Sequence, residues 1–162
     1  MDIVSLVQYS TNAQTRLYEF LADKPEALSF EVDTLSPFKT IRDLVAHITG
    51  AEQRWTPRIL GHDLPPRYED SAPTSVDALF EDWKSIRSET TGAAQSANRT
   101  ELDRVILVTL QSSDVSFNLT VEQILLHIIN HENFHRAQCS MLLQLQKFDP
   151  PYFDYVFEFM PH

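Results

Sequence analysis

Apolar positions recur at spacings of three and four along four long stretches of the chain. In the first, Ile3, Leu6, Val7, Ala13, Leu17, Phe20 and Leu21 fall on roughly one face, which predicts an amphipathic helix from about Ile3 to Leu21. The segment "DKPEALSFEVDTLSPF" (residues 23–38) breaks it with Pro25 and Pro37. A second set, Ile41, Leu44, Val45, Ile48, Ala51, Trp55 and Ile59, predicts a helix from Thr40 to about Leu60. Thr40 with Asp43 three residues on reads as a capping box in which Asp replaces the usual Glu or Gln. Gly61 and the Pro65-Pro66 pair end that helix.

A third helix starts near Ser75 and carries Val76, Leu79, Phe80, Trp83 and Ile86 before the pattern turns polar in "SETTGAAQSANRTE". Residues 102–119, "LDRVILVTLQSSDVSFNL", differ in kind. "VILVTL" is short and β-branched and "VSFNL" alternates, so a small hairpin or extended segment is expected there. Thr120 and Gln123 form a second capping box, from which a long helix runs to about Lys147. The aromatic tail "FDPPYFDYVFEFMPH" follows and is expected to pack back on the helices. The pattern predicts an all-α protein: a single domain over residues 1–162, built as a four-helix bundle with long inter-helix connections.

Composition fits that picture. A chain of 162 residues can bury a core without staples, and 3 Gly against 9 Pro favours long elements with a few hard stops over tight-turned β-structure. Thirteen Lys and Arg against 23 Asp and Glu give a formal charge of −10, with no basic stripe along the sequence. Nucleic acid and anionic membranes are therefore not expected partners. Cys139 is the single cysteine, which excludes an internal disulfide and a cysteine-based zinc cluster. No basic stretch precedes the first apolar residues, and no aliphatic run approaches a membrane span, so a cytoplasmic protein is expected. The sequons at Asn98 and Asn118 then carry no glycosylation meaning.

The chemistry concentrates in "LLHIINHENFHRAQ" (residues 125–138), where His127, His131 and His135 stand at a strict spacing of four. Residues four apart on a helix are rotated by about 40° and separated by about 6 Å, so two such imidazoles can converge on one ion. His127 and His135 are about 12 Å apart along the axis, too far for one ion with bonds of about 2.0–2.1 Å to hold all three readily. The spacing selects His127/His131 or His131/His135, and asks for a ligand from another helix. His47, in "DLVAHITGAEQRW", is the only other histidine inside a predicted helix and completes a three-His site. His62 and His162 are expected at the surface.

The neighbouring polar residues read more plainly. Glu52, five residues from His47, and Glu132, on the face next to His131, are expected to be solvated or salt-bridged. Gln138, three residues after His135, shares the ligand face. Cys139, among Met141, Leu142 and Leu143, is expected to be a core residue, and Trp55 and Trp83 core or interface anchors.

The histidine run resembles the fourth-helix signature of the DinB-like superfamily, H-x-x-x-H-x-x-x-H-R-G-Q. "LVAHITGAEQRW" is similar to that family's second-helix histidine followed by a small residue, Glu and Trp. "PPYFDYVFEFM" resembles its closing P-x-x-D-Y-I-F-Y-L pattern, so the likeness spans nearly the whole chain. The resemblance implies a metal held by His47, His131 and His135, with His127 outside the ligand set; imidazole ligation suits a divalent Zn, Ni, Fe or Cu ion, with zinc or nickel expected first. The resemblance also implies a metal-dependent enzyme, a hydrolase or a transferase of a small thiol, acting on a small-molecule substrate as a homodimer. The alternative is a metal-stabilised bundle with a binding or stress-response role. One departure is Ala137 where the signature has Gly; Ala is small enough to keep a close helix approach. Three imidazoles leave coordination positions open, which is the catalytic rather than the structural pattern for zinc.

Overall fold

A computed structural model describes residues 2–31, 37–110, 113 and 115–159; His162 lies outside them. Four long helices form the frame: α1 (Ile3–Asp23), α2 (Ile41–Leu60), α3 (Val76–Ser96) and, after a one-turn helix α4 (Arg99–Leu102), α5 (Val121–Leu145). The protein is an all-α bundle with a short hairpin before its last long helix, as the pattern predicts. Both capping boxes form. The Thr40 side chain accepts the Asp43 N–H at 3.1 Å while the Asp43 carboxylate accepts that of Thr40, and Thr120 and Gln123 do the same for α5. Such caps contribute about 1 kcal/mol each by satisfying otherwise orphaned amides.

Gly61 ends α2 with φ 72, the left-handed conformation that a glycine adopts without penalty. Lys147, at φ 64, turns the chain after α5 so that the Phe148 N–H closes on the Leu143 carbonyl at 3.0 Å. The one-turn helix was not foreseen; the Asn98 side chain caps it by accepting the Glu101 N–H at 3.0 Å.

Two apolar clusters fill the bundle, and each long helix passes from one to the other. Helix α1 starts beside Ile3 and Val7 in one cluster and ends with Leu17 and Leu21 in the other; α5 runs the same way, from Ile124 and Ile128 to Cys139 and Leu143. Helices α2 and α3 run oppositely, from Leu44 to Ile59 and from Leu79 to Ala94. Since α1 and α2 each pack against both α3 and α5, α2 lies antiparallel beside α5, which brings mid-α2 against the second half of α5.

The hairpin pairs β1 (Val105–Thr109) antiparallel with β2 (Ser116–Thr120), Val105 opposite Thr120. Alternation turns Ile106, Val108, Phe117 and Leu119 onto the bundle, while Val105 and Leu107 face solvent. The tail returns as expected. Tyr9 Oη donates to the Phe153 carbonyl at 2.7 Å, and Arg16 pairs with Glu158 at 2.8 Å.

Between the two apolar clusters lies a polar layer to which every long helix contributes. Ser10 and Gln14 come from α1, Glu52 and Thr56 from α2, Arg87 and Thr90 from α3, and Glu132 and Arg136 from α5; all are buried. Arg87 bonds Glu52 at 2.9 Å and also Glu132; Thr90 Oγ1 donates to Glu52 at 2.6 Å, and Arg136 to Gln14 at 3.0 Å. One guanidinium, that of Arg87, thus bridges two carboxylates. A buried charge costs least when paired and hydrogen-bonded, and the bonds from Arg87 serve both carboxylates, while Arg87 Nε and Nη1 and Arg136 Nε stay buried without a partner. Glu52 and Glu132 are therefore ion-paired but not solvated, which corrects the solvent-exposed alternative.

Candidate metal centre

Antiparallel packing of α2 against α5 brings His47 to His131 and His135, on the flank of the polar layer. One ring nitrogen from each lies within 4.8 Å of the others. The ring centroids are 4.9 Å (His47–His131), 4.8 Å (His47–His135) and 4.4 Å (His131–His135) apart. Tetrahedral bonds of 2.0–2.1 Å place ligand nitrogens about 3.4 Å apart, within reach of small side-chain rotations. His127 is not in the grouping: its ring packs on Trp55 at 4.4 Å. Of the two pairs that the spacing permitted, the fold brings His131/His135 to His47. His62 is exposed.

Two of the imidazoles are held from behind. His47 Nδ1 lies 3.0 Å from Glu69 Oε1, and His135 Nδ1 lies 2.7 Å from Gln138 Oε1. Burial works against the Glu69 carboxylate, but the Arg54 and His47 hydrogen bonds outweigh it and hold its carboxyl below the usual range. A carboxylate can only accept, so His47 carries its proton on Nδ1 and presents the Nε2 lone pair. The Gln138 amide oxygen imposes the same tautomer on His135. This second-layer pattern is the one that orients metal-ligating histidines.

The electrostatics suit a cation. Burial lowers the proton affinity of His47 and His135, and burial together with both of those rings pushes His131 down to about 3. All three are neutral at physiological pH, as metal ligation requires. His131 Nδ1 is buried without a hydrogen-bond partner. A donor set of three neutral imidazoles, one with an orphaned buried nitrogen, fits a divalent transition metal.

Two cavities adjoin the site, both beside His47. A cavity of about 520 Å³ is lined by His47, Arg54, Trp55, Arg58, Arg67 and Glu69, with Leu110. A smaller one of about 230 Å³ lies on the Phe38 side. Another cavity, of about 480 Å³ between α5 and the tail, contains none of the three histidines.

Two readings of single residues change. Trp55 is half-buried and walls the larger cavity, so it is part of the site; Trp83 is the core anchor expected. Ala137 is exposed on α5, where it lines the cavity between α5 and the tail, so the expectation that its size keeps a close helix approach does not apply. Glu69 and Arg87 were missed. Arg87 follows an apolar stretch of α3 and gives no sign of burial in sequence. Glu69 sits in the irregular segment after α2, where no periodicity points to it. Its one signal is Gly50 in mid-α2, where a Cβ would stand 2.8 Å from the Glu69 carboxyl. Cys139 is a core residue as expected; burial pushes its thiol up to about 12.

A four-helix bundle carrying three convergent histidines between its second and last long helices is the class defined by this fold and site. The chain belongs to the DinB family, whose model matches residues 2–161. It is similar to a DinB-like protein from Bacillus cereus, with TM-score 0.73 and 19% identity over 93% of this chain and 94% of that one. A DinB-like protein from Bacillus subtilis gives TM-score 0.61 and 17% identity over 94% and 96%. No curated protein matches the sequence.

Proposed function

We propose that His47, His131 and His135 bind one divalent transition metal, zinc or nickel, and that the protein is a metal-dependent enzyme of the cytoplasm acting on a small molecule. The reaction class is transfer of a low-molecular-weight thiol or hydrolysis. The observation that carries this reading is the convergence of three neutral imidazoles, one of which, His47, lines a 520 Å³ cavity large enough for a small substrate. A bound ion supplies Lewis-acid chemistry, stabilising an anionic nucleophile near neutral pH. The protein's own residues do the rest. Glu69 and Gln138 fix the two outer rings, Trp55 gives the cavity a flat apolar wall, and Arg54 locks Glu69 in place through bonds of 2.9 and 3.2 Å. Among the described residues no fourth His, Cys, Asp or Glu joins the three, which leaves room for substrate.

One observation favours the non-catalytic reading. The Phe38 ring stands 4.6 Å from the His47 ring and 5.5 Å from that of His135, and so covers one side of the site. A screen of thiols with electrophilic acceptors, and of esters and amides, on metal-loaded protein decides between the two. Turnover that stops on chelation and returns with Zn²⁺ or Ni²⁺ supports the enzyme; metal binding without turnover of any class supports the structural role.

A further inference from the structure

The larger cavity has a charge opposite to that of the chain. The protein carries −10 overall, with 13 Lys and Arg, yet three arginines and one glutamate line this space, 3 − 1 = +2 with His47 neutral. No basic stripe marks it in the sequence. Arg54 and Arg58 stand four apart on α2, and Arg67 arrives from the segment after it.

The three arginines are not equally satisfied. Glu69 is committed to His47 and to both bonds from Arg54, and it reaches Arg67 Nε only at 3.9 Å. Among the described residues no carboxylate pairs with Arg58. Its guanidinium donates to the Arg54 carbonyl and lies 5.0 Å from the Trp55 ring centroid. Two guanidiniums at i, i+4 repel each other, and partial burial removes the water that would screen them. Burial and the Arg54 charge both press on Arg58 in this way. A planar guanidinium fork of this kind pairs with carboxylate or phosphate oxygens through two parallel bonds. A concave positive wall in an acidic protein also concentrates small anions there.

We propose that the cavity beside His47 is an oxyanion subsite, in which Arg58 and Arg67 bind a carboxylate or phosphate group of the substrate while Trp55 packs against its apolar part. This deepens the reading of the three-His site as the reacting centre: the substrate is a small anion, anchored at one end and reacting at the other. Three side chains around a concave cavity of this size suit a small molecule rather than a polynucleotide, whose backbone needs a longer basic track.

The test uses metal-free full-length protein in low-salt buffer near neutral pH, so that no probe can bind directly to an ion. Succinate, inorganic phosphate and uncharged succinamide are titrated by calorimetry, with tryptophan emission recorded in parallel. The expected result is saturable binding of succinate or phosphate, a change in Trp55 emission as Arg58 engages the anion, and no binding of succinamide. Whichever anion binds more tightly identifies the group as a carboxylate or a phosphate. Arg58→Gln and Arg67→Gln, the latter at a mostly exposed side chain, each weaken binding by about tenfold, while Lys84→Gln on α3 leaves it unchanged. No saturable binding of either anion, or binding unaltered in both arginine variants, overturns the proposal. The proposal survives if anion binding holds while zinc titration shows no site, and that outcome refutes the metal reading alone.

Discussion

His47 Nδ1 and Glu69 Oε1 stand 3.0 Å apart although 22 residues separate them in the chain. That contact fixes which nitrogen of His47 faces the other two histidines. It also explains Gly50, since a Cβ at that position would come within 2.8 Å of the same carboxyl group. Glu69→Ala is expected to weaken zinc binding about 10–100-fold, the usual cost of removing a partner behind a ligand. Gly50→Ala removes a helix-interior glycine, a change that elsewhere adds up to about 1 kcal/mol of helix stability. Here it displaces Glu69, so zinc affinity falls while the helix is retained. Calorimetric zinc titration and far-ultraviolet circular dichroism of both variants check this.

Among the described residues, Arg87 is the one cation that bonds both Glu52 and Glu132. Arg87→Ala leaves two buried carboxyls without it and is expected to cost about 3–5 kcal/mol. Urea unfolding of the metal-free protein measures the loss. A cost below about 1 kcal/mol would mean that the layer is not held by this residue.

What was legible in the sequence was local. The capping boxes at Thr40 and Thr120 need only residues three apart, and the ladder from His127 to His135 needs only the helical repeat. The hairpin showed through its β-branched and alternating runs. The choice of His131/His135 over His127/His131 was not local; it rested on the resemblance, and the packing of α2 antiparallel to α5 groups His131 and His135 with His47. The polar layer was half legible. Glu52 falls four residues after Ile48 and seven before Ile59, within the buried stripe of α2, and Glu132 falls four after Ile128 in that of α5. A charge in an apolar stripe points to burial, but its partner Arg87 lies on another helix, and only tertiary packing names it. Glu69 and the three arginines of the cavity come together from two segments with no shared period.

Cys139 gives a pH-dependent prediction. An unfolded thiol ionises near 9, whereas burial holds the folded one protonated up to about 12. Between those values the unfolded state releases a proton that the folded state keeps, so this group withdraws stability as pH rises through that window. Below it, Cys139 in the folded protein does not react with a thiol-specific disulfide reagent at pH about 8. Labelling is expected to track global unfolding in urea; fast labelling of native protein would show an accessible thiolate.

Self-association is expected through apolar side chains that the fold leaves uncovered. Phe134, Met141 and Leu145 on α5 are more than half exposed, as are Tyr152, Val156 and Phe159 in the tail. Phe134, Met141 and Leu145 lie seven and four residues apart and so share one face of α5. Light scattering is expected to give a dimer mass, and Phe134→Ser with Met141→Ser to shift it toward monomer. A monomer at high micromolar concentration contradicts this.

The central claim is that one ion sits on His47, His131 and His135, and elemental analysis of protein purified without a nickel resin tests it most directly. The expected result is about one equivalent of a divalent transition metal per chain, lost in His131→Ala and largely kept in His127→Ala. Wild-type protein that neither carries nor takes up such an ion, or equal loss of metal in the two variants, would contradict the account.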